Sequence, residues 1–183
     1  ADDASTIFFN PAGMTQLQHS ELAAGIHYIS PQSDFTDDNS RIPITLGGSA
    51  LTGSDGGDAV EDALVPILYY VQALNSTTFI GIGINAPFGL VTDYNDSWQG
   101  RYHAIRSDLK TININPSLAI KANDKLSVGL GINLQYIDLE LSQAVDFGAA
   151  CAVAFNGGAG FAPAGPCAAP QGFDGKAKLT ADD

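Results

Sequence analysis

The run Lys125-Leu126-Ser127-Val128-Gly129-Leu130-Gly131-Ile132-Asn133-Leu134-Gln135-Tyr136-Ile137-Asp138-Leu139 decides the fold. Leu126, Val128, Leu130, Ile132, Leu134 and Tyr136 share one side of an extended chain. Ser127, Gly129, Gly131, Asn133 and Gln135 share the other. Successive strand residues point to opposite faces, so this alternation has the period of a strand and not of a helix. One face is greasy and the other small or polar.

The pattern recurs outward from this run. In Leu109 to Lys121, Ile112, Ile114, Leu118 and Ile120 oppose Thr111, Asn113, Asn115 and Ser117. In Thr78 to Ala86, Ile80, Ile82 and Ile84 oppose Gly81, Gly83 and Asn85. Glu21 to Ile29 carries Leu22, Ala24, Ile26 and Tyr28 on one face, and Leu64 to Leu74 is apolar on both. Lys176 to Asp183 reads as the start of a sixth strand. The connections alternate in length. Asn75-Ser76-Thr77 and Ala122-Asn123-Asp124 are tight turns, whereas Pro31 to Ala63, Thr92 to Ser107 and Ser142 to Lys176 are long and polar. Short turns at one end and long loops at the other predict an all-β chain forming part of a transmembrane antiparallel β-barrel. The alternative is a soluble sandwich, in which the apolar faces would be the core. In a barrel they face lipid, and the interior takes Gly, Ser, Asn and Gln. Tyr28, Tyr70, Tyr94, Trp98, Tyr102 and Tyr136 lie mostly near strand ends, as an interfacial girdle would. Five strands do not close a membrane barrel, which needs about eight. The chain therefore reads as a piece of a longer protein, the remainder lying mainly after Asp183.

Composition narrows the function. The 183 residues carry a net charge of -12, from 20 acids against 8 bases, and this excludes a nucleic-acid partner. No apolar run reaches the roughly 18 residues of a membrane helix. Ala1 opens the chain without a basic or apolar leader, so a secretory signal is expected upstream or already removed. Asp34, Asp37, Asp38, Asp55, Asp58, Glu61 and Asp62 form a solvated acidic loop, or a surface holding divalent cations beside lipopolysaccharide. Cys151 and Cys167 suggest a loop disulfide, with two free thiols as the alternative. His19, His27 and His103 lack metal-ligand spacing, and no nucleophile elbow, phosphate loop or paired-acid motif is present. The sequence predicts no enzyme, no cofactor and no metal.

Two motifs remain. Residues 1–15 contain Ile7-Phe8-Phe9-Asn10-Pro11-Ala12-Gly13-Met14, and Ala86-Pro87-Phe88-Gly89-Leu90-Val91-Thr92-Asp93-Tyr94 is followed by Trp98-Gln99-Gly100-Arg101-Tyr102. Both resemble signatures of the FadL/TodX family of outer-membrane transporters for long-chain fatty acids and aromatic hydrocarbons, and the strand plan matches over essentially the whole chain. The resemblance implies a fourteen-stranded, monomeric barrel in the Gram-negative outer membrane, among lipid and lipopolysaccharide. Residues 1–20 would be the end of a lumenal plug, and 21–183 the first five strands, their extracellular loops and the start of a sixth. It further implies passive uptake of a hydrophobic small molecule, captured by loops, held against the plug and released sideways at a kinked third strand.

Each element of that scheme has named residues. Asn10, Pro11, Ala12 and Gly13 are the plug joint; Pro11 fixes φ and lacks an N–H, and an ordinary turn is the alternative. Pro87, Phe88 and Gly89 are the lateral opening, because Pro cannot donate to a ladder and a strand Gly often marks a bulge. A strand that simply ends at Ala86 is the alternative. If Leu68 and Tyr70 face lipid, Ile67, Tyr69 and Val71 face inward, and the opposite register also leaves a greasy interior. That suits an apolar pocket rather than a wet porin. Phe8, Phe9 and Met14 of the plug, and Phe147 and Phe155 of the long loop, would add to the lining. Such a loop marks a binding surface or packs on itself across Cys151 and Cys167. A fatty-acid carboxylate wants a cation. None stands near Asp138 and Glu140, so Arg101, Arg106 and Lys110 are the expected partners.

Overall fold

The computed structural model describes residues 3–44, 47–156, 171 and 174–182, the side chains of 152 and 155 excepted. The chain begins with a short helix α1 (Thr6–Phe9) and a 3-10 turn (Pro11–Gln16). Strands β1 (Glu21–Ile29), β2 (Ala63–Ala73), β3 (Thr78–Asn85), β4 (Gly89–Asp93), β5 (Arg106–Asn123), β6 (Leu126–Gly131) and β7 (Leu134–Asp146) follow. Helix α2 (Phe147–Asn156) and strand β8 (Asp174–Asp182) complete it. One antiparallel sheet runs β1-β2-β3-β5-β7-β8, with β4 and β6 also paired to β5.

The two faces of this sheet settle the choice between sandwich and barrel. Along β5, Ile112 is 51% exposed and Ile120 47%, while Asn113 is 2% exposed and Asn115 3%. The greasy residues look outward and the polar ones are covered, the inverse of a water-soluble sandwich. Lipid is the solvent such an outer face requires. The inner face is covered by the N-terminal segment. Ala4, Ile7, Met14 and Leu17 pack with Tyr69, Val71, Phe79 and Ala119 into the hydrophobic core. Each such large side chain contributes about 1.5–3 kcal/mol on burial.

The third strand stops at Asn85 and resumes as β4, an interruption at Pro87 and Gly89 of the kind the sequence leads one to expect. The strands depart from the sequence reading in two places. The fifth, expected to be continuous, breaks at 132–133 into β6 and β7. Pro116 explains that break. Ile132 N–H donates to Pro116 O at 3.1 Å, but Pro116 has no N–H to return the bond. Finally, β7 continues to Asp146, where a loop was expected, because it pairs with β8 up to Asp146–Asp174. Helix α2 then occupies the next ten residues of that expected loop.

Candidate functional site

The segment expected to be a plug joint, Asn10 to Gly13, is built from local hydrogen bonds. Asn10 is extended, and its side-chain oxygen accepts from Ala12 N–H at 3.2 Å. Its carbonyl accepts from Gly13 N–H at 2.9 Å and from the Thr6 hydroxyl at 2.9 Å. Pro11 opens the 3-10 turn, where its missing N–H costs nothing. The joint then lies flat on the wall. A Cβ on Gly129 would come within 2.2 Å of Ala12 N, and one on Gly81 within 2.7 Å of Ile7 Cδ1 and Met14 Sδ. The small inward face is thus the seat of the N-terminal segment. Two polar contacts fasten it: Thr15 Oγ1 to Ser127 Oγ at 2.7 Å, and Ala4 N–H to Glu21 Oε1 at 3.0 Å.

Ile67, Tyr69 and Val71 face inward, as one of the two registers required, and Leu68 and Tyr70 outward. Met14, Tyr69 and Val71 are brought together, but as close-packed core. Phe8 and Phe9 stand apart from it as an exposed edge-to-face pair, 5.1 Å between centroids.

The ladder of the wall is interrupted at Pro87, Phe88 and Gly89. Asn85 pairs with Asn113, and Gly89 with Lys110. Residues 86–88 therefore oppose only 111–112, a one-residue bulge. It inverts the faces, so that Leu90, not an odd-numbered residue, lies opposite the inward Leu109. Thr111 pins the bulge: its hydroxyl donates to Phe88 O at 2.6 Å and accepts from Phe88 N–H at 3.0 Å. On the other side, β2 pairs with β3 only from Leu68–Ile84 downward. Ala63–Ile67 bond to β1 and find no ladder partner toward β4 among the described residues. Glu61 N–H to Val91 O at 3.1 Å closes the seam again above. What remains is a window about 17 Å long, taking roughly 3.4 Å per residue. Pro66 and Pro87 flank it, each without the N–H a ladder would use.

Inside the wall a chain of amides spans both strand breaks. Asn113 Nδ2 donates to Asn85 Oδ1 and to Asn133 Oδ1, each at 3.1 Å. Asn115 Nδ2 donates to Ile132 O and to Asn133 Oδ1, each at 3.0 Å. It thereby supplies the bond that Pro116 cannot. Sequence reading passed over this cluster and over Pro66 and Pro116. The signal was present, as asparagines on the polar faces and prolines inside strands.

At the loop end, the expected carboxylate partners are already engaged: Arg101 stands apart, while Arg106 and Lys110 share Asp108. Arg101 is buried, its Nε 3.0 Å from Asp174 Oδ2, with further bonds to Trp98 O at 3.2 Å and to Thr52 O. Its Nη2 donates to Tyr102 Oη at 2.9 Å, and that hydroxyl donates to Asp174. Burial, then the Asp174 bond, push the Tyr102 phenol up to about 12. Arg106 lies 2.6 Å from both Asp93 and Asp108, with Glu61 and Glu140 each at 3.7 Å. Lys110 bonds Asp108 at 2.9 Å and remains largely exposed. Trp98 is buried in its loop, stacked on Tyr94 at 3.8 Å, so these two do not form a girdle; Tyr28, Tyr70 and Tyr136 do look outward.

Phe147 lies in α2 against Gly175, whose Cβ would meet its ring at 2.2 Å. Cys151 is disulfide-bonded; Cys167 and the side chain of Phe155 lie outside the described residues. A cleft of about 360 Å³ opens between β5, β7 and β8, lined by His103, Arg106, Leu141, Lys178 and Leu179 among others. No group of three or more metal-ligating side chains occurs among the described residues.

Fold and site together define a class: the wall of an outer-membrane β-barrel, apolar outside, with an N-terminal segment packed on its inner face. Within that class, the chain belongs to the outer membrane protein transport family (OMPP1/FadL/TodX), whose model matches residues 1–183. It is 32% identical over 149 residues to outer membrane protein P1 of Haemophilus influenzae, covering 78% of this chain and 32% of that one. It is 32% identical over 145 residues to a long-chain fatty acid transport protein of Escherichia coli, covering 78% and 30%. The crystal structure of a Pseudomonas aeruginosa FadL homologue matches with a TM-score of 0.71 at 26% identity, over 100% of this chain and 42% of that one. The chain spans about a third of the length of these curated relatives.

Proposed function

We propose that the protein carrying this chain takes up hydrophobic compounds passively across the outer membrane. Long-chain fatty acids or aromatic hydrocarbons are captured by the loops, held against the plug and released sideways into the bilayer. The observation that carries this reading is the window between Ala63–Ile67 and the 86–88 bulge. A barrel wall normally has every ladder bond made, since unsatisfied backbone in lipid is costly. A bounded break, with its bulge pinned by Thr111 and prolines on both rims, is a built exit. Its rim is apolar: Leu64, Phe88 and Leu90 are all exposed. An N-terminal plug bedded on the inner face argues against a freely open pore. A disulfide between Cys151 and Cys167 would staple the loop that carries α2.

Neutral hydrocarbons stand before fatty-acid anions in this reading. Arg101 and Arg106 would have to abandon carboxylates they already hold to bind another. Of the three expected partners, Lys110 keeps the most exposed cation.

The test is uptake of labelled toluene and labelled fatty acid by cells carrying the full-length gene. Cysteines at Leu64 and Phe88, joined by a bifunctional thiol reagent, should abolish uptake, and a cleavable linker should restore it on reduction. Uptake that persists through the cross-link sinks the lateral route. Free passage of small hydrophilic solutes through the reconstituted protein would instead make it a general porin.

A further inference from the structure

We propose that Asn85, Asn113, Asn115 and Asn133 form a polar subsite at the inner sill of the window, one that takes an uncharged hydroxyl-bearing group: an alcohol, a phenol or a protonated carboxylic acid. The inference rests on the lateral-exit reading and names a preference within it.

Hydrogen-bond accounting carries the argument. Both Asn113 amide hydrogens are spent, on Asn85 Oδ1 and Asn133 Oδ1. Both Asn115 amide hydrogens are spent, on Ile132 O and Asn133 Oδ1. The Ser117 hydroxyl donates to Asn115 Oδ1 at 3.1 Å. Asn113 Oδ1 is left over: buried, with no donor among the described residues. Its residue is 2% exposed, so bulk water does not relieve it. A buried acceptor without a donor is unfavourable, and the group that satisfies it must offer an O–H or N–H.

Position and charge select among donors. Asn85 is the last residue of β3, at the lower corner of the window, and Asn133 sits in the 132–133 break. The cluster contains amides and a hydroxyl but no charged side chain. A carboxylate has acceptors alone, so it cannot satisfy Asn113 Oδ1, and no cation in the cluster offsets the loss of its water. An alkane would pass and leave the acceptor unfilled. A hydroxyl at the end of an apolar chain fills it while the chain stays in apolar surroundings.

The experiment uses the full-length protein in cells and radiolabelled dodecane, 1-dodecanol and dodecanoate at neutral pH. Wild type should favour dodecanol. Asn113→Leu should slow dodecanol about tenfold relative to dodecane, the size of one hydrogen bond to a buried acceptor. Asn113→Thr keeps an oxygen acceptor on a strand-compatible side chain and should keep most of the preference, which separates the subsite from a folding defect. Equal slowing of all three compounds by Asn113→Leu overturns the subsite, because then another part of the protein or a fixed water supplies the donor. Unchanged dodecanol uptake overturns it as well. A wild type that takes up none of the three defeats the transport reading itself, a different result from either.

Discussion

At the residue scale, glycine and tyrosine carry the sharpest consequences. Gly129 is there because the Pro11–Ala12 backbone rests on it, and a side chain would overlap Ala12 N. Gly129→Val should leave the strand intact, since Val suits a strand, but unseat the plug. The measurement is conductance of the full-length protein in a planar bilayer, which should rise above wild type. Met14→Ala should weaken plug docking by about 2–5 kcal/mol, as for other buried large-to-small changes. Hydrogen exchange in residues 4–17 should speed up while β5 stays protected. In the loop clamp, the Tyr102 phenol is raised to about 12 from an ordinary 10.0. A raised folded value means the clamp stabilises fully below about pH 10 and is lost as pH rises through about 12. Tyrosinate absorbance should show one late step in that window, absent in Tyr102→Phe. A Tyr102 that ionises near pH 10 would show that the Asp174 bond does not hold in solution.

At the scale of elements, the broken strands matter more than the regular ones. β3 and β4 are one strand in sequence and two in register, because residues 86–88 oppose 111–112. Pro87 and Gly89 made a break there legible beforehand. Its width was not legible, since that depends on where β2 stops pairing, and β2 is apolar on both faces with no marker at Ile67 except the adjacent Pro66. Thr111→Val should loosen the bulge by removing both hydroxyl bonds to Phe88, at a cost of about 1–3 kcal/mol. The readout is a lower midpoint for urea unfolding in lipid vesicles, with altered uptake if the bulge positions the exit. The second break, at 132–133, was missed for a related reason. The apolar alternation runs straight through it, and the cause lies in Pro116 on the neighbouring strand.

At the scale of the molecule, the inside-out distribution of polarity has a direct test. Ile114 lies on the outward face of β5, near mid-height of the apolar band. Ile114→Arg should destabilise the barrel in lipid vesicles by about 2–4 kcal/mol, as charges at the bilayer midplane do. On a water-soluble sheet the same change at so exposed a position would cost little. The acidic excess, 20 against 8, is placed consistently with this. Most acids lie in the loops and at strand ends, and β5 carries no charge between Lys110 and Lys121.

Sequence by itself determined the strands, their approximate ends, the asymmetry of turns and loops, and the two motifs that carry the family resemblance. These are local properties: alternation, turn chemistry and missing N–H groups act on near neighbours along the chain. Tertiary structure alone decided which face is wet, where the plug sits and which cations are already paired. Alternation is symmetric between a sheet with a greasy core and one with a greasy exterior, so burial had to break the tie. Arg101 looked available in a loop until Asp174, distant in sequence, was found on it. The feature on which the proposed function rests, a window between β2 and the β3–β4 bulge, consists of bonds that two remote segments do not make, and no single segment records that.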